Sequence, residues 1–210
     1  MKSSELNHIL AAILILSIVA GFSSIINGSY SLLPQILLFS AIIISVNLAS
    51  KKMIAYWLDS DVEHEIWKST FSIYEKPSSS KEKPAGIIIP LIITLLSLGA
   101  FKLPAILTYE ARALKHRAAK RFGYYSYTEM TDWHNSLIGA AGIISLLLLS
   151  IITYFAGSES LAKLSIFYAF ANILPISKLD GTQIYFGSKQ VYAALAAITL
   201  IFTLYAIFLI

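Results

Sequence analysis

The chain has 210 residues, 57% of them apolar and 13% charged, with a formal net charge of +4 and no cysteine. That balance lies outside the soluble globular range and predicts an integral membrane protein. The missing cysteine excludes disulfides, thiolate nucleophiles and thiolate metal sites, so any metal would have to sit on His, Asp or Glu.

Residues 8–27 supply the roughly 20 apolar residues that a hydrocarbon layer of about 30 Å demands. A second apolar block at 32–49 follows with no cleavage-like exit between them, so residues 1–50 read as an uncleaved transmembrane hairpin. Residues 51–84 are polar and end in the breaker-rich "PSSSKEKP"; they predict a cytoplasmic loop, with a short strand or two in "IWKSTFSIY".

The segment 85–107 is apolar but interrupted by Pro90, Gly99, Lys102 and Pro104. If it turns near Gly99 and returns, nearly all Lys and Arg fall on one side, including Lys51, Lys52, Arg112 and Lys178, and only Lys102 and Lys163 are left out. This predicts a re-entrant hairpin, covered by neighbouring helices because lipid cannot satisfy its broken backbone. A basic cytoplasmic segment at 108–135 follows. Apolar blocks at 137–156 and 160–176 predict adjacent antiparallel membrane helices, and 191–210 predicts a C-terminal transmembrane helix. The expected fold is an all-α polytopic membrane protein of about five transmembrane helices plus the broken hairpin. Its core spans 85–190, and its N-terminus and most charged loops are cytoplasmic.

Gly139 and Gly142, early in the 137–156 helix, mark a place where another backbone can approach closely. Further on, "NILPISKLDG" sets Asn172, Pro175, Leu179, Asp180 and Gly181 at the end of an apolar segment. Proline opens the helix, Asn172 one turn earlier can bond the opened backbone, and Gly181 permits a tight turn or a positive φ. An ionisable Asp180 here is expected to face protein, since exposure to lipid is costly.

The run "FANILPISKLDGTQIYFG" resembles the second signature of the site-2-protease, or M50, intramembrane metalloproteases. More distantly, the chain resembles a group of archaeal membrane proteins related to these proteases. The resemblance implies a site-2-protease-like core, with Asp180 at the position of a zinc-ligating aspartate and Asn172 and Pro175 at the substrate-proximal break. Active members also carry His-Glu-x-x-His on a membrane helix, where two histidines one turn apart hold zinc and the glutamate handles the water proton. That motif is absent: "HEIWK" offers His64 and Glu65 but Lys68 in place of the second histidine, "YEARA" offers Glu110 without either histidine, and reading "RAAKRFG" against the stretch that follows the zinc helix in active relatives brings Ala111, Arg112 and Lys115 onto the motif.

Replacement ligands are few. His8 is interfacial and His116 lies among cations. Glu129, Asp132 and His134 could form a polar cluster with Asp180, while His64 and His134 remain weak metal candidates. Three readings follow: an inactive protease-like scaffold that binds a membrane partner or a transmembrane peptide, a noncanonical zinc-dependent protease using Asp180, or a small transporter. The basic segment suits anionic lipid headgroups, and no nucleic-acid motif accompanies it.

Overall fold

The computed structural model describes residues 3–69, 83–114 and 130–208. Helix α1 (Ser3–Ile26) and helix α2 (Leu33–Trp57) form the N-terminal hairpin, α2 being opened by Pro34 in its first turn, where a missing N–H costs nothing. Strand β1 (Ser60–Ile66) follows, then helix α3 (Ala85–Leu96), strand β2 (Leu107–Ala113), helix α4 (Asp132–Phe155) and helix α5 (Glu159–Ile173). The short helix α6 (Asp180–Gly187) and helix α7 (Lys189–Phe208) complete the described chain.

Among the described residues four helical stretches are long and apolar enough to cross a bilayer: α1, residues 30–57, α4 and α7. The 160–176 block, expected to be a fifth, is only 15 helical residues, or about 22 Å. It stops at Ile173 because Leu174 precedes a proline and is driven to extended geometry (φ −61°, ψ 132°). Helix α4 is the central post. It touches α2, α5, α6 and α7, and 56% of its apolar window is buried, against 22% for α7.

Two strands qualify the all-helical expectation. β1 and β2 pair antiparallel with Ser60 opposite Ala113, His64 opposite Tyr109 and Ile66 opposite Leu107. The strand therefore begins earlier than "IWKSTFSIY", within "SDVEHEI", and residues 70–82 lie outside the described residues. Its buried face is Ser60, Val62, His64 and Ile66, and its charges point the other way, a period of two that polar composition concealed. β2 arises from the stretch expected as the start of the basic segment. Helix α2 also runs on through Lys51 and Lys52 to Trp57, where the sequence predicted loop, because both lysines find carboxylate partners.

The 85–107 segment doubles back on itself. The Gly86 N–H donates to Trp67 O at 2.8 Å and the Trp67 N–H to Ile106 O at 2.9 Å, so both ends of the segment meet beside the strand pair. Its turn, near Gly99, abuts Phe22 and Ser23 at the far end of α1. The return limb is not helical. Protein covers it instead: Ala105 packs in a buried cluster with Trp67, Ala85, Ala171 and Leu179.

Candidate functional site

At the strand-pair end of the bundle five elements deliver a buried polar cluster. Lys51, on the last turns of α2, reaches Asp180 at the start of α6, with Nζ 2.6 Å from Oδ2 and the two side chains 1% and 0% exposed. At that distance the ammonium opposes the cost of burying the carboxylate. The Lys51 ammonium also lies 4.7 Å from the centre of the Tyr109 ring on β2, a cation–π contact in a desolvated place. Tyr109 is held in turn by donating its hydroxyl to Asn135 O at 2.5 Å and by accepting Gln183 Nε2 on its carbonyl at 3.1 Å.

Glycines make this approach possible. A Cβ on Gly142 would stand 2.5 Å from Lys51 Cε and 2.8 Å from Asn47 Nδ2, and one on Gly139 would stand 2.9 Å from the Tyr109 hydroxyl. Gly181 has a related need, with Ile173 O only 1.9 Å from where its Cβ would be. Close backbone approach is what requires Gly181; of the two geometries it permits, the positive φ is not used.

A second group adjoins the first. Glu5 on α1 pairs with Lys52 at 2.7 Å and with His64 Nδ1 at 3.3 Å. His64 is buried directly opposite Tyr109 in the strand register. Burial above all, then the charges of Lys51 and Lys52, lower its pKa to about 2, so the ring is neutral at neutral pH. Its Nε2 has no hydrogen-bond partner. Burial likewise pushes the Asp180 carboxyl upward, with Lys51 opposing, and holds the Tyr109 hydroxyl well above its ordinary range, aided by the negative charge of Asp180.

No family model, curated protein or solved structure matches the chain.

The residues singled out in the sequence are distributed as follows. Asn172 is buried and donates Nδ2 to Tyr168 O at 2.8 Å, inside α5 and before the break. Pro175 is exposed beyond the helix end, so it terminates α5 without bending it. Leu179 is buried at the N-cap of α6. Thr131 caps α4 and bonds the His134 ring, while Asp132 is exposed beside a groove; Glu129 and His116 lie outside the described residues. Among the described residues no three His, Asp or Glu side chains converge as a metal-binding group.

Sequence reasoning missed Lys51 and Asn47, placing the first in a loop. The available signal was the helical period of α2: Ile44, Asn47, Leu48, Lys51 and Ala55 share its buried stripe, and only continuing that period past Ser50 puts Lys51 inside. Alongside this cluster runs a groove of about 640 Å³ between β2, the start of α4 and α6, lined by Glu110, Arg112, Asp132, Lys178 and Gln183 among others.

Proposed function

We propose that the protein is an integral membrane scaffold of intramembrane-protease-like design that lacks hydrolysis and binds a membrane partner through the groove beside β2. The observation that carries this reading is the buried pair Lys51–Asp180 at 2.6 Å. In the resembled proteases two histidines one helical turn apart face the ligand aspartate. Here the α2 side chains one turn apart at that place are Asn47 and Lys51, and both crowd against Gly142. An ammonium ion already neutralises the carboxylate, and a dication beside it would be repelled. These residues do not fit zinc. With Leu48 between them, this turn of α2 supplies no carboxylate to take a proton from water. The groove offers both charges and amides within reach of a partner segment alongside β2.

Washed protein is expected to hold no stoichiometric zinc and to leave a membrane-spanning peptide intact. The variant Asn47→His/Lys51→His, which places two imidazoles one turn apart beside Gly142, is expected to take up close to one zinc per chain. Zinc in the unaltered protein, with peptide cleavage lost when a chelator removes the metal and regained when it is returned, would establish the noncanonical protease instead.

A further inference from the structure

At the other end of the bundle a cleft of about 250 Å³ opens between the tip of the α1–α2 hairpin, the turn after α3 and the start of α5. Two lysines enter it, Lys102 from the turn and Lys163 from α5, together with Ser23, Ser24, Gln35 and Ser160. No carboxylate lines it, and among the described residues neither lysine takes part in an ion pair. Glu159, one turn before Lys163, is exposed and forms no ion pair with it.

Two half-buried ammonium groups without a counter-charge are costly. Burial, and after it the charge of Lys163, hold Lys102 below the usual lysine range. Lys102 is not free to swing away, because its Nζ donates to Ala20 O at 3.1 Å, a carbonyl inside α1. Lysines that merely extend to a membrane surface keep their heads in water; here one head is tied to a helix backbone and the other shares its cleft. The remaining donors are hydroxyls and an amide, which suit phosphate oxygens. Behind them Phe39, Leu164 and Phe167 give the cleft an apolar wall, as an acyl chain requires.

We propose that this cleft binds a phosphate-bearing anion, the phosphodiester headgroup of a membrane lipid being its source. The site lies away from the Lys51–Asp180 cluster and does not depend on the scaffold reading.

The test is binding to the full-length protein in neutral detergent, using short-chain phosphatidylglycerol, short-chain phosphatidic acid, phosphatidylcholine of matched chain length, and inorganic phosphate at constant ionic strength. Saturable binding of the anionic lipids, weakened at least about tenfold in Lys102→Gln/Lys163→Gln and kept in Lys163→Arg, is the expected result, the size following from lost charge-assisted hydrogen bonds. Inorganic phosphate binding as tightly as the lipids would retain the anion site but replace its source. Equal binding of phosphatidylcholine, no saturable binding at all, or an unchanged affinity in the double variant would overturn the proposal. Should that variant fold poorly by its helical circular dichroism, Lys163→Gln alone carries the test, with a loss of about threefold or more expected.

Discussion

The two ends of the bundle handle buried cations in opposite ways. At the strand-pair end Lys51 and Lys52 each meet a carboxylate, Asp180 and Glu5, and the first pair is closed to solvent. At the far end Lys102 and Lys163 share a cleft with no carboxylate in its lining. In a chain this apolar, a lysine's position along the sequence therefore says little about its role; the charge opposite it decides. An internally neutralised cation holds the fold, whereas an unneutralised pair is available to something outside it.

The hardest test of the first half is Lys51→Met. It leaves Asp180 buried and unpaired, and should cost about 3–5 kcal/mol, while Lys51→Met/Asp180→Leu should recover to within about 1 kcal/mol of the unaltered protein. Thermal melts in detergent read both, and a Lys51→Met protein as stable as the original would break the comparison. By the same reasoning Asp180→Asn, which leaves Lys51 buried without its counter-charge, is severe for stability.

Gly142→Ala should cost up to about 3 kcal/mol, because its Cβ would meet Lys51 Cε at 2.5 Å. A denaturation midpoint equal to that of the original would show that Lys51 can move aside and that the pair is not tightly held.

His64 supplies a pH dependence. Its pKa falls from 6.5 to about 2 on folding, so between those values the unfolded chain binds more protons and stability drops as pH falls below about 6.5. From pH 6.5 to 5 the loss attributable to this ring is about 2 kcal/mol. Melts of the protein and of His64→Asn across pH 5 to 7 should differ in slope by that amount; parallel curves would mean that the ring is protonated in place.

Smallest is the effect of Lys163→Gln in the absence of anion. With no carboxylate to lose, it should change stability by less than about 0.5 kcal/mol. A large destabilisation in lipid-free detergent would show that Lys163 has an internal partner after all, and that the two ends differ less than the geometry indicates.

The long apolar helices were legible in the sequence because twenty-residue apolar runs have few alternatives in physical terms. The doubling back of 85–107 falls at Gly99, one of the breaks that interrupt its apolar run. The strand pair was not legible, since "SDVEHEI" carries its apolar signal only on alternate residues, and the contact with "LTYEARA" spans a long stretch of chain. Asp180 drew notice as an acidic residue beside Gly181. Its partner did not, because Lys51 and Asp180 are brought together by three-dimensional packing around Gly142, and spacing along the chain carries no trace of that contact.

The non-helical return limb after α3 bears on the order in which the protein can be assembled. Its backbone amides and carbonyls would face hydrocarbon if the limb entered a bilayer alone, yet part of the cover it receives comes from Ala171 and Leu179, which lie more than sixty residues downstream. A ribosome that has just completed β2 has not yet made that cover. That cover exists only once α5 and the start of α6 have been made, so the burial of this limb depends on residues that follow it in the chain.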